Sequence, residues 1–370
     1  MNDVGIVSTR FYHWPGSLQL ECGADLGPLT IAYETYGELN STGDNAILVL
    51  HALTGSAHAA GRNSPDDRQP GWWDPLIGPG RTLDTRRYFI VCANVPGSCY
   101  GSTGPASINP ASGRPYGLDF PVVTIRDMVR AQKILLDHLG VRHLAAALGG
   151  SMGGMQVLEW GFLYPEMVTA IIPIATCGRT SPMQIAFNNV QREAIYADPD
   201  WQGGNYYGHA GPQRGLALAR RIGTITYKSD PSWTMKFGRT MVDPACYYER
   251  TGQFEVESYL AYQGRKLVQR FDANAYLYLT KAIDLHDVSQ GRGDYAGVWQ
   301  GLTPYCLAVG ISSDFLYPPG QVKEIVHLIN TAGGRARYKE LNSPYGHDAF
   351  LIEFRQLETI IGPYLNGSPA

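Results

Sequence analysis

"LGGSMGGMQ", Leu148–Gln156, sets one serine among four glycines at the end of an apolar run. The residues just before it, "LAAAL" at Leu144–Leu148, form a short continuous apolar stretch, which suits a strand buried on both faces. After it, "GMQVLEWGFLYP" reads as a helix that Pro165 ends. Gly149, Ser151 and Gly153 therefore fit G-x-S-x-G in the context this pattern requires, strand before and helix after. The spacing has a physical reason. A serine on a strained strand-to-helix turn presents its hydroxyl, and neighbours without side chains let strand and helix pack closely around it. The amide of Met152, at the start of the helix, would then face a developing oxyanion. The bland alternative is a tight turn with no chemistry, so the reading needs partners elsewhere in the chain.

Working outward, similar apolar runs recur between Gly, Pro and Asn: "AILVLHAL" (Ala46–Leu53), "YFIVCANV" (Tyr88–Val95), "VTAIIPIAT" (Val168–Thr176) and "YCLAVGIS" (Tyr305–Ser312). They predict the strands of a mostly parallel sheet flanked by helices. "LTIAYETYGEL" (Leu29–Leu39) alternates more and predicts an antiparallel strand near an edge. In "TIRDMVRAQKILLDHLG", Ile125, Met128, Val129, Leu135, Leu136 and Leu139 share one helical face. Thr124 with Asp127 supplies a capping signature at its start and Gly140 a stop. Strand and helix alternate, as an α/β fold demands. The alternation breaks over residues 182–302, where helical patterns such as "QRGLALARRIG", "FEVESYLAYQGRKLVQRF" and "NAYLYLTKAIDLHD" have no strand run between them. The expected organisation is a core of residues 1–181 and 303–370 with a helical lid, 182–302, inserted between two late strands.

Bulk composition narrows the function. A chain of 370 residues, 44% hydrophobic, has ample material for one large core with an insert. Net charge is −3 with no dense Lys/Arg cluster, which argues against a nucleic-acid partner. No apolar run approaches bilayer-spanning length, and "MNDVGIVSTRFYHW" lacks the pattern of a secretory signal. The expectation is a soluble, cytoplasmic protein with no membrane partner. The six cysteines form no C-x-x-C pair and read as core or loop residues, and His51 with His58 lacks a carboxylate or thiol at ligand spacing. No metal site is expected.

An elbow serine needs a histidine base, and the base an acid that holds its tautomer. On this architecture the chain order is serine, acid, histidine. Four histidines follow Ser151. His209 and His286 fall in the helical insertion, and His327 lies in the amphipathic run "QVKEIVHLIN". His347, in "NSPYGHDAF" after a strand-like run, is the best base. Asp314 closes "LAVGISSD", where a late strand releases its last residue toward the active-site end. Asp284 and Asp287 compete but read as lid-helix residues. Asp348 adjoins the base, and neighbours on an extended segment point opposite ways. The expected triad is Ser151, Asp314 and His347, with the second oxyanion donor the amide of Leu53 in "HALTGS" after "AILVL".

With these residues in place, the chain resembles the homoserine O-acetyltransferase family of the α/β-hydrolase superfamily over essentially its whole length. The resemblance is carried by "YETYGELN", "HALTG", "GWWDPLIGPGRTLDT", "GSTGPASINPASGRPYG", "FPVVTIRDMVRAQ", "LGGSMGGMQ", "GLALARRIGTITY" and "GHDAFL". It implies an α/β-hydrolase fold and the same triad. It further implies that Arg220 pairs with the homoserine carboxylate, that Asp348 holds its ammonium, and that Tyr227 lines the same pocket. The implied reaction, on the route to methionine, is ping-pong transfer from acetyl-CoA, a co-substrate, through an acyl-serine, with no bound cofactor. The family's lid helices imply a homodimer. Ser56, Ala57, Pro96 and Ser98 depart from the family pattern near the expected pocket mouth, and Arg221 adds a cation beside Arg220. Related readings are a homoserine succinyltransferase, a serine acyltransferase, or an esterase using the same triad.

Overall fold

Every apolar run named above becomes a strand of one eight-stranded sheet in the computed structural model, which describes residues 3–365. In chain order the strands are β1 (Arg10–Trp14), β2 (Leu29–Tyr36), β3 (Ala46–Leu50), β4 (Phe89–Ala93), β5 (Leu144–Gly150), β6 (Val168–Ile174), β7 (Tyr305–Ile311) and β8 (Ala336–Leu341). They lie side by side as β1-β2-β4-β3-β5-β6-β7-β8. β2 runs antiparallel to both its neighbours, as its alternating sequence suggested. From β4 to β8 all pairings are parallel.

The continuous apolar character of β3 follows from burial on both faces. Ala46, Leu48 and Leu50 join one core with Met128, Leu135, Met155 and Leu158. Ile47 and Val49 join another with Trp73, Leu357 and Ile361. Each large aliphatic side chain so buried contributes about 1.5–3 kcal/mol, so register is strongly specified.

Helices cover both faces. α1 (Ile125–His138) begins at a capping box in which Thr124 and Asp127 satisfy each other's backbone amides. α2 (Met152–Leu163) is buried from Met152 to Gly161. Between β6 and β7 no strand joins the sheet among the described residues. The chain instead runs through α3 (Pro182–Tyr196), α4 (Gln213–Thr226), α5 (Asp230–Phe237), α6 (Glu255–Val268) and α7 (Ala273–Asp284), with α4 packed against α3 and α6, and α3 against α7. α3 escaped the sequence reading, although "SPMQ" (Ser181–Gln184) carries its signal: a capping box with proline at the first helical position. α8 (Pro319–Thr331) and α9 (Phe354–Leu365) complete the layers. Among the described residues no helix is long and apolar enough to cross a membrane.

Candidate active site

Ser151 stands between β5 and α2 with φ 59° and ψ −125°, a backbone conformation that side-chain-bearing residues rarely adopt. Such a residue costs about 1–3 kcal/mol and persists only where its surroundings hold it. Here they do: the Ser151 amide donates to the Ile174 carbonyl at 2.9 Å, and the Thr176 hydroxyl donates to the Ser151 carbonyl at 3.0 Å. The flanking glycines are required by a close approach. A Cβ on Gly149 would lie 2.4 Å from the Leu50 carbonyl oxygen, and one on Gly153 only 2.1 Å from it. Met152 opens α2, so its amide is among those a helix leaves without an internal partner.

Three residues beyond β7, Asp314 is buried and its carboxylate is fully engaged. Oδ1 accepts the amides of Leu316 and Tyr317, each at 2.9 Å. Oδ2 lies 2.6 Å from Nδ1 of His347. That contact assigns the ring proton to Nδ1 and leaves a lone pair on Nε2. Nε2 is buried and has no hydrogen-bond partner, a costly state that suits a base awaiting a proton. Rings of Tyr317, Phe350 and Tyr227 flank the imidazole at 5.0, 5.6 and 5.9 Å.

One cavity gathers the residues singled out from the sequence: Ser151, His347, Asp348, Arg220, Tyr227 and Leu53 all line it. Gln184, Phe187, Asn188 and Gln191 of α3 line it too, and the sequence reading missed them along with their helix. Arg220 sits 5.5 Å over the Tyr227 ring. Burial raises the Tyr227 phenol above its usual range, with the Arg220 charge opposing, so the phenol stays neutral. Asp348 donates its amide to the Tyr227 carbonyl at 3.2 Å and pairs through Oδ2 with Lys228 at 3.1 Å.

Several expectations need correction. His347 and Asp348 sit in a 3-10 turn, Gly346–Leu351, not on an extended segment. Asp348 thus parts from the His347–Asp314 pair by the turn's rotation, not by strand alternation. Asp287 lies beyond the end of α7, and Asp284 is already committed to Arg192 at 2.6 Å and Asn188 at 2.8 Å. Arg221 does not accompany Arg220. Consecutive helix residues diverge, and Arg221 lines a separate groove with Arg214 and Arg265. Ser56 and Ala57 face the scaffold: the Ser56 carbonyl accepts the Trp72 indole at 2.9 Å, and the Ala57 amide donates to Asn94 at 2.8 Å.

The other histidines weighed from the sequence are placed apart from this pair. His51 is fully buried, with Nε2 accepting the Val95 amide at 3.2 Å and Nδ1 2.9 Å from the Ala52 carbonyl. Burial pulls its pKa down to about 4, with the Ala52 contact opposing. His58 pairs with Glu34 at 2.9 Å. His286 is buried against the Cys177 carbonyl, and His209 and His327 are exposed.

Comparison with known proteins agrees with this geometry. The sequence profile of the alpha/beta hydrolase fold matches residues 45–354. The chain is 78% identical to homoserine O-acetyltransferase of Moorella thermoacetica, over 99% of this chain and 98% of that one. Among solved structures, homoserine O-acetyltransferase from Bacillus anthracis superimposes with a TM-score of 0.91 at 31% identity, covering 98% of both chains. Esterase E22 superimposes with a TM-score of 0.90 at 29% identity, covering 97% of this chain and 100% of that one. The fold, the full-length identity and the shared architecture agree: the chain belongs to the homoserine O-acetyltransferase family of α/β-hydrolase-fold enzymes.

Proposed function

We propose that the chain moves an acetyl group from acetyl-CoA to the hydroxyl of L-homoserine through an acyl-serine on Ser151. The observation that carries this reading is the convergence, in one cavity, of Ser151 and the Asp314–His347 pair with Arg220 and Asp348. His347 Nε2 takes the Ser151 proton as the hydroxyl oxygen attacks the thioester carbonyl. The oxyanion rests on the amides of Leu53 and Met152, and CoA leaves with the proton returned from His347. The homoserine hydroxyl, deprotonated by the same nitrogen, then attacks the acyl-serine and releases O-acetylhomoserine. Asp314 holds the ring and stabilises the imidazolium that forms in each step.

Arg220 and Asp348 bring opposite charges to one cavity, the arrangement a zwitterionic amino acid demands of its pocket. Arg220 would pair with the acceptor carboxylate. Asp348 would hold the ammonium, and Tyr227 would form the wall between them. Residues 182–302 act in this reading as a lid, since α3 and α4 close the cavity over the strand ends and exclude the water that would compete with homoserine. Helices α3, α4 and α6 expose Met183, Val190, Leu218, Ile225 and Tyr262, and we propose that they pair two chains as a homodimer. A monomer by sedimentation would remove that assignment.

The reaction is tested with acetyl-CoA alone and then with homoserine. We expect a single stoichiometric burst of free CoA, and sustained turnover only once homoserine is present. Equal turnover without an amino-acid acceptor would overturn the transferase reading in favour of an esterase. Running succinyl-CoA and serine in parallel separates the remaining donors and acceptors.

A further inference from the structure

We infer that Arg270 is a positioning residue for both chemical steps: it reaches from the helical segment to hold the loop that carries the Leu53 amide. The inference rests on the proposed use of that amide as an oxyanion donor. In the loop His51–Ser56 four carbonyls accept hydrogen bonds, from four different donor residues. The His51 carbonyl accepts Gln156 at 3.3 Å, and the Ala52 carbonyl accepts the Gly55 amide at 2.9 Å. The Ser56 carbonyl accepts Trp72 at 2.9 Å. These donors come from α2 and from the stretch between β3 and β4. The Thr54 carbonyl is different: its donor is Nη1 of Arg270, at 2.9 Å, from the turn joining α6 to α7.

That guanidinium is itself held. Its Nη1 also donates to the Tyr100 hydroxyl, and the Tyr100 ring meets Phe271 edge-on at 5.7 Å. Burial raises the Tyr100 phenol, opposed first by the Arg270 charge, so the hydroxyl remains a neutral acceptor. Arg270 is exposed at the surface, whereas Thr54 and Tyr100 are half-buried, so the charge reaches inward along a short path. A charged donor on the Thr54 carbonyl fixes the Thr54–Gly55 peptide plane, whose Gly55 amide in turn holds the Ala52 carbonyl, and that carbonyl shares its peptide plane with the Leu53 amide. Both tetrahedral intermediates place their oxyanion in the same spot, so a loosened amide slows acylation and deacylation alike.

The test is Arg270→Leu in the full chain, read against Arg270→Lys and Ser151→Ala. We expect the CoA burst rate and the homoserine-dependent turnover each to fall about tenfold, the scale of one charged hydrogen bond. KM for both substrates should stay within about twofold, and Arg270→Lys should recover part of the rate. Cleavage of p-nitrophenyl acetate should slow by the same factor, because it uses the same oxyanion site without CoA. A rise in KM for acetyl-CoA with p-nitrophenyl acetate unaffected would overturn the inference and make Arg270 a contact for the donor's phosphates. Unchanged rates in all assays would overturn it as well. A burst that survives Ser151→Ala would instead remove the underlying acyl-serine reading, which separates the two failures.

Discussion

The strand ends and the helical segment build opposite walls of one cavity by different physics. On the strand side, backbone geometry does the placing. Ser151 is held by a forced φ, the Leu50 carbonyl excludes any side chain at Gly149 and Gly153, and two amides lock Asp314. On the helical side, side chains reach in from α3 and α4, and their positions depend on how those helices pack. The strand side should therefore govern whether chemistry occurs, and the helical side which acceptor receives the acetyl group.

The sharpest way to break this division is to remove the nucleophile. Ser151→Ala should lower turnover on the order of a millionfold and abolish the CoA burst, while acceptor binding, measured calorimetrically, persists. A retained burst would transfer the chemistry away from the strand side. The next largest effect is expected across the cavity. Arg220→Leu should lower kcat/KM for homoserine by about a hundredfold or more, yet leave the CoA burst intact. Equal damage to both steps would mean that α4 shapes the catalytic centre and not the acceptor pocket alone.

A smaller effect separates the two sides by stability. His51 is neutral in the folded chain because burial holds its pKa at about 4, below the ordinary 6.5. The unfolded chain binds the proton first. The stability associated with His51 is thus complete above pH 6.5 and is lost as pH falls toward 4, by about 3 kcal/mol at most. Urea midpoints followed over this range should drop more steeply in the wild type than in His51→Gln. Parallel slopes would contradict the assignment. Because His51 opens the loop that follows β3, the same acid range should unfold the strand side without first releasing α3 and α4.

Legibility in the sequence divides along the same line. The proposed triad is legible because its members are placed by strand order and local turns, and a G-x-S-x-G between a strand and a helix records that placement in consecutive residues. Asp314 and His347 follow from the rule of chain order, and the structure brings them to 2.6 Å. The error over Asp348 arose where a 3-10 turn resembles an extended loop in sequence. Arg221 misled because two adjacent arginines look alike until a helix rotates one away. The α3 contribution of Gln191 and Asn188 was missed because "MQIAFNNVQREAIY" is only weakly amphipathic, so periodicity carries little signal.

By itself, the sequence determined the sheet and the strained serine turn, along with the order of the groups around it. These depend on local propensities and on apolar runs that must be buried on both faces. Only the tertiary structure decided which of two arginines faces the cavity, that α3 forms its wall, and that Arg270 reaches the Thr54 carbonyl across 216 positions of chain. Contacts of that range depend on how helices pack, and no local pattern encodes the packing of one helix on another.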